Sequence, residues 1–87
     1  MSSNIMTSNR KIFAERLREL RKDARYTQPA IAEKIGVKTQ AVNDYEHERS
    51  APSFDVLILL ADTLNVSVSY LVGQSDDPKV RKPRKKD

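Results

Sequence analysis

The sequence predicts an all-α domain of five helices, and three observations predict it. Apolar residues recur at spacings of three and four along successive segments, the repeat that aligns one buried stripe on a helix. Thr27, Ser53 and Ser67 stand ahead of three of these segments, where a side-chain oxygen can satisfy free helical amides. Gly36 and Gly73 follow two of them, where the left-handed backbone that closes a helix is cheap for glycine.

The first helix is expected from about Asn9 to Ala24, behind a polar, flexible N-terminus at residues 1–8. Ile12, Phe13, Leu17, Leu20 and Ala24 fall on its apolar stripe, while Arg16, Arg18, Glu19 and Arg21 lie mostly toward water. Arg25 and Tyr26 link it to a second helix capped by Thr27. Pro29 fits the first turn of that helix because the amide there has no helical partner. Ala30 at the third helical position leaves the reciprocal capping box unformed. Ile31, Ala32 and Ile35 give the buried side, Gly36 ends the helix, and Val37 is expected to plug the corner.

The third helix is expected over Thr39 to His47. Advancing about 100° per residue puts Gln40, Asn43, Asp44 and His47 on one side and Ala41, Val42 and Tyr45 on the other. Ser53 caps a fourth helix from Phe54 to Leu64, with Phe54, Leu57, Ile58, Ala61 and Leu64 as its stripe, widened by Leu59 and Leu60. Ser67 caps a short fifth helix through Leu71, closed by Gly73. Residues 9–73 therefore form the domain. Residues 74–87 are rich in Gln, Ser, Asp, Pro, Lys and Arg, too polar to offset their ordering entropy, and are expected to be a disordered basic tail.

Composition narrows the function. Eighty-seven residues make one domain. The chain has no cysteine, which removes disulfides and thiolate metal sites and fits a reducing cytoplasm. Its longest apolar run, Val56 to Ala61, is far short of the roughly 20 residues a membrane span needs. The first ten residues, MSSNIMTSNR, lack the apolar core of a secretory signal. There is no Gly-rich phosphate loop, no nucleophile with a recognisable base, and one histidine, so neither an enzyme nor a metal or other cofactor is expected. The net charge of +4 is unevenly spread. Six cations against Asp87 give residues 79–87 a net +5, so the other 78 residues sum to −1. Within the domain, Arg10 to Arg25 carries seven basic and three acidic residues, and Glu46 to Asp77 carries one and six. One end can face phosphates while the other turns away.

The third helix carries the functional signal. A helix packed for stability alone more often shows lysine and glutamate outside, whereas here the outer face is mainly amides and a short acid. Gln40 can pair with the N6 and N7 edge of adenine, and Asn43, one turn on, can do similar work. Thr39 can touch a thymine methyl or a phosphate, or simply cap. Asp44 can accept from cytosine N4, yet phosphates repel it, so it fits better as a group that excludes wrong sequences or pairs with a neighbouring cation. Lys38 and Arg49 flank the helix and are candidate phosphate contacts. His47, near the helix C-terminus where an imidazolium is favoured, either touches phosphate or stays in solvent. Gln28, in the first turn of the second helix, is placed to meet a phosphate oxygen. The expected partner is double-stranded DNA.

These segments resemble the lambda repressor/Cro-type (XRE-like) helix-turn-helix family. The matching stretches are RLRELRK (16–22), YTQ (26–28), IAEKIGV (31–37), TQAVNDYE (39–46), SAPS (50–53) and LADTLNVSVSYLVG (60–73), in register from about Asn9 to Gly73. The resemblance implies a compact lambda-repressor-like domain with its helix-turn-helix at helices 2 and 3. It implies bacterial or phage transcriptional control, commonly as a dimer, in the bacterial cytoplasm. By the same resemblance Gln28 clamps the DNA backbone, and Arg21 and Glu46 form an internal salt bridge that positions the recognition helix. Val68, Tyr70 and Val72, three bulky side chains near the place where related repressors pair, are either a homodimer interface or packing against the fourth helix.

Two positions depart from the family pattern. Glu48 stands where the family often has a glycine, so the third helix is expected to end differently and shift Arg49. Lys38 stands where a serine cap is common, so either Thr39 caps or the cap is given up for a phosphate contact. Two other functions share this fold. One is an antitoxin that binds its own operator while its tail or fifth helix masks a toxin or other protein antagonist. The other is a protein-interaction module with a repurposed fold. The tail is either a solubilising extension, a polycation that raises nonspecific DNA affinity, or a recruiter of an acidic partner.

Overall fold

A computed structural model describes residues 2–80, with side chains from Asn9 onward; Met1 and residues 81–87, most of the basic tail, lie outside the described residues. Five helices follow in order: α1 (Ser2–Asp23), α2 (Gln28–Ile35), α3 (Thr39–Glu46), α4 (Phe54–Thr63) and α5 (Val68–Leu71). Helix α1 starts seven residues before the expected Asn9, since no proline or glycine interrupts Ser2 to Ser8. The flexible N-terminus expected for that segment is drawn as helix from Ser2.

The helix starts are set by local chemistry. The Thr27 hydroxyl accepts from the Ala30 amide at 3.1 Å, Ser53 from Val56 at 3.2 Å, and Ser67 from Tyr70 at 3.0 Å. Lys38 occupies the same position before α3 without a side-chain cap, so Thr39 is the first helical residue and not the cap.

One device closes all five helices. A residue in the left-handed region is followed by an amide that reaches back five positions, the 6→1 bond of a Schellman turn. These bonds run from Tyr26 to Arg21, Val37 to Ala32, Arg49 to Asp44, Val66 to Ala61 and Gln74 to Ser69, at 2.8–3.0 Å. The left-handed residues are Arg25, Gly36, Glu48, Asn65 and Gly73, with φ from 59° to 83°. Two are glycine and one is asparagine, which tolerates this region. Glu48 therefore does not make α3 end differently: the glutamate takes the left-handed turn at φ 63°, and Arg49 keeps its place.

The core is built where the stripes meet. Leu17, Ile31, Val42, Leu60 and Leu71, one from each helix, are its largest fully enclosed side chains. Phe13 of α1 meets Tyr45 of α3 edge-to-face, centroids 6.3 Å apart. Ala14 joins the buried face of α1, whereas Ala24, expected on the stripe, lies past the end of the helix and is exposed. Helix α3 packs on α1 and α2, α4 on α2, and α5 on α1 and α4. Val37 sits half-buried at the corner between α2 and α3.

Helix α4 corrects the expected stripe. Leu60, Ala61 and Leu64 are buried and Leu57 is half-buried, but Phe54 is 74% exposed, and Ile58 and Leu59 are more than two-fifths exposed. Seven of its ten residues are apolar, so periodicity alone could not fix its rotation. The signal lay in Asp55 and Asp62, seven apart and hence on one face, with Ile58 and Leu59 lying between them.

The chain beyond α5 also departs from expectation. Arg16, expected on the wet side of α1, lies with its guanidinium 4.0 Å from the centre of the Tyr70 ring. It donates to the carbonyls of Tyr70 at 2.5 Å and Ser75 at 2.8 Å, and to Asp76 at 3.1 Å. The Ser67 amide donates to the Pro78 carbonyl at 3.1 Å. Residues 75–78 are therefore strapped across α5 instead of leaving as disordered chain at Gly73.

Candidate functional site

Helix α3 is set in place by a buried carboxylate. Glu46, 3% exposed, lies at its last turn and is enclosed by α1 and α2. Arg21 donates to it twice, from Nε to Oε2 at 2.6 Å and from Nη2 to Oε1 at 3.1 Å. Gln28 of α2 donates to Oε1 at 3.1 Å. Arg18 donates to the Glu46 backbone carbonyl at 2.8 Å, serving one of the free carbonyls at the helix end. A carboxylate buried this deeply is tolerable only with such partners. The Arg21–Glu46 bridge implied by the family resemblance is present. Arg18, which the helical period places toward water, supports the same helix end.

Gln28 has a different immediate role from the one expected. Its Nε2 spends both hydrogens inside the fold, one on Glu46 and one on Asn43 Oδ1 at 3.4 Å. The side-chain amide thus links α2 to α3. What remains for an oxyanion is its backbone amide, in the first turn of α2, where helical N–H groups lack internal partners. Asn43, expected as a free reader of bases, is half-buried, and its side-chain oxygen faces Gln28.

The outer face of α3 carries the remaining candidates. Thr39, Gln40 and His47 are exposed, and Lys38 is exposed at the helix start. Gln40 Nε2 donates to Asp44 Oδ1 at 3.0 Å, one turn along. Arg49 Nε donates to the same oxygen at 3.0 Å. The two hydrogen bonds, Gln40 first and Arg49 second, with the positive charges of Arg49 and His47, hold the Asp44 carboxyl below its usual range. Asp44 thus has the neighbouring cation that the sequence suggested. Arg49, expected at a phosphate, is engaged within its own helix end. His47 Nδ1 lies 2.8 Å from the Asn43 carbonyl.

Val68, Tyr70 and Val72 are all half-buried. Val68 and Tyr70 pack against the core, one face of Tyr70 is covered by Arg16, and the Val72 carbonyl accepts from Asn9 Nδ2 at 2.9 Å. Packing within the chain is thus observed for Val68 and Tyr70. Of the large exposed apolar side chains, Phe54, Ile58 and Leu59 stand on α4 and Val80 beyond α5.

The geometry has counterparts among known proteins. The helix-turn-helix family model matches residues 17–71. The chain is 40% identical over 74 residues to an uncharacterized HTH-type transcriptional regulator, YobD of Bacillus subtilis (strain 168), covering 85% of this chain and 66% of that protein. It is 37% identical over 64 residues to the HTH-type transcriptional regulator ImmR of the same organism, covering 74% of this chain and 50% of that one. The chain therefore spans half to about two thirds of the length of these two regulators. In structure it is similar to the P22 c2 repressor crystallised in complex with a synthetic operator, with a TM-score of 0.70 and 28% identity, covering 74% of this chain and 97% of that one.

Proposed function

The chain belongs to the helix-turn-helix family, and from that premise we propose that it is a sequence-specific repressor of transcription that sets α3 into the major groove of duplex DNA. The observation that carries this reading is the contrast between the two sides of α3. Its inner side is fixed by the enclosed Glu46, and its outer side offers Thr39, Gln40 and Asp44 on a helix that needs no further ordering. The likeness to a repressor crystallised on its operator supports the same docking.

In this reading Gln40 reads a base edge, and Asn43 supports it while steadied by Gln28. Thr39 lies at the leading end of the helix, next to the groove wall. Lys38 and the backbone amide of Gln28 contact phosphates, and His47 and Arg49 lie at the far end. The protein acts as a homodimer on an inverted repeat whose half-sites lie about 34 Å apart, in the cytoplasm of a bacterium. Among the described residues no helix is long and apolar enough to cross a membrane.

Selection from a random duplex pool, followed by sequencing, tests the reading. One enriched motif is expected. Gln40→Ala should weaken binding to it by about 1–3 kcal/mol and relax a single position. Lys38→Ala should weaken all sequences alike. A pool that emerges without any enriched motif would sink the proposal and favour a protein-binding role.

A further inference from the structure

We propose that Asp44 is a positioning residue that makes Gln40 a reader of adenine and closes it to guanine. The inference rests on the reading of α3 as a groove-binding helix. It follows from the hydrogens of one amide. A glutamine amide offers two N–H donors and one carbonyl acceptor. In this structure Gln40 Nε2 gives one hydrogen to Asp44 Oδ1 at 3.0 Å. An ionised carboxylate only accepts, so the contact also fixes which end of the amide faces it, and the carbonyl must point away. One N–H and one carbonyl oxygen remain for a base.

That remainder matches one purine and not the other. Adenine shows an acceptor at N7 and a donor at N6, which pair with the free N–H and the free carbonyl. Guanine shows two acceptors, N7 and O6, and needs two donors. Gln40 could supply both only by giving up Asp44. A carboxylate beside two guanine acceptors would then add repulsion, and discrimination often rests on such a built-in penalty.

Arg49 completes the device. Its Nε reaches the same Asp44 oxygen at 3.0 Å, and its place is set by the 6→1 bond from its own amide to the Asp44 carbonyl at 2.9 Å. The side chain that would most readily pair with guanine is thereby held on the carboxylate. Asp44 therefore takes the second hydrogen of Gln40 and the Nε hydrogen of Arg49, which draws that guanidinium toward the carboxylate.

The test is duplex selection with three proteins: the wild type, Gln40→Ala and Asp44→Ala, each first shown to be folded by its thermal unfolding. Gln40→Ala identifies the position that this side chain reads. At that position the wild type should prefer adenine over guanine on the order of 10-fold or more. Asp44→Ala should admit guanine to within about 3-fold of adenine there, leaving the rest of the motif unchanged. A wild-type preference for guanine at that position, or an Asp44→Ala motif with adenine preference intact, overturns the inference while leaving the DNA-binding reading standing. Absence of any wild-type motif would instead remove the reading on which it rests. The same proteins give a check without DNA: the side-chain amide resonances of Gln40 should move as Asp44 is protonated. Resonances that stay still overturn the inference.

Discussion

The guanidinium of Arg21 and the carboxylate of Glu46 meet through two hydrogen bonds, 2.6 and 3.1 Å long, between the last turn of α1 and the last turn of α3. Both side chains are largely enclosed, 11% and 2% exposed. Removing one member of such a pair leaves a buried charge without its main partner, at a cost of about 3–5 kcal/mol. Arg21→Met should therefore lower unfolding stability in urea by at least about 3 kcal/mol. The double variant Arg21→Met/Glu46→Leu should recover a good part of that loss. A double variant as unstable as the sum of the two single ones would contradict the coupling.

Glu48 holds the left-handed backbone that closes α3, at φ 63°. This region costs a side-chain-bearing residue about 1–2 kcal/mol and costs glycine little. The entropy glycine adds to the unfolded chain offsets part of the gain. Glu48→Gly should raise stability by about 1 kcal/mol, a rise of about 4–8 °C in Tm for a domain this size. Arg25→Gly, at φ 64°, should act in the same direction. A fall in Tm for both would refute the claim.

Gly36 and Gly73 share a positive φ but differ in their surroundings. A Cβ on Gly36 would meet open space, so Gly36→Ala should cost about 1 kcal/mol from the backbone alone. On Gly73 it would lie 3.0 Å from Ile12 Cγ2 and 3.2 Å from Asn9 Nδ2. Gly73→Ala should be the more damaging of the two in a denaturant titration, and trimming Ile12 to valine in the same chain should narrow the gap.

Hydrogen bonds from Gln40 and Arg49 hold the Asp44 carboxyl below its ordinary value. A carboxyl whose folded value is depressed contributes stability that is present above its unfolded value and is lost as pH falls through the folded one. The carboxyl carbon of Asp44, followed by NMR, should titrate below the ordinary aspartate range. Gln40→Ala and Arg49→Ala should each move that midpoint upward. Asp44→Asn should remove this contribution to the acid loss of stability below about pH 4. A midpoint indifferent to both variants would mean the two contacts do not persist in solution.

Residues 79–87 carry a net +5, against −1 for the rest of the chain. Removing residues 79–87 should flatten the slope of log affinity against log salt on DNA by up to about 5 if every net charge engages. A slope that does not change would show that the tail stays off the duplex.

What was legible in the sequence was local. Thr27, Ser53 and Ser67 cap because a short oxygen-bearing side chain before an apolar run has one geometry to adopt, and Gly36 closes α2 for an equally local reason. The outward position of Gln40 followed from the helical period. Arg25 and Glu48 were not legible as helix closures, because nothing in arginine or glutamate announces a left-handed backbone; the surrounding packing imposes it. The roles of Arg16 and Arg18 were not legible for a different reason. An arginine on a short helical domain is ordinarily solvated, and the carbonyls that receive Arg16 come from 54 and 59 residues away. The side-chain amide of Gln28, expected at a phosphate, is likewise held by Glu46, 18 positions later.

The sheltering of Glu46 also decides how ionic strength would act on this molecule. Mobile ions reach surface charges but scarcely penetrate a cluster sealed on three sides by helices. Adding electrolyte would therefore weaken the protein's lysine and arginine contacts to phosphate without tilting the reading rod. A titration against potassium chloride should then count phosphate contacts, those of the tail included, with no admixture from a scaffold that loosens.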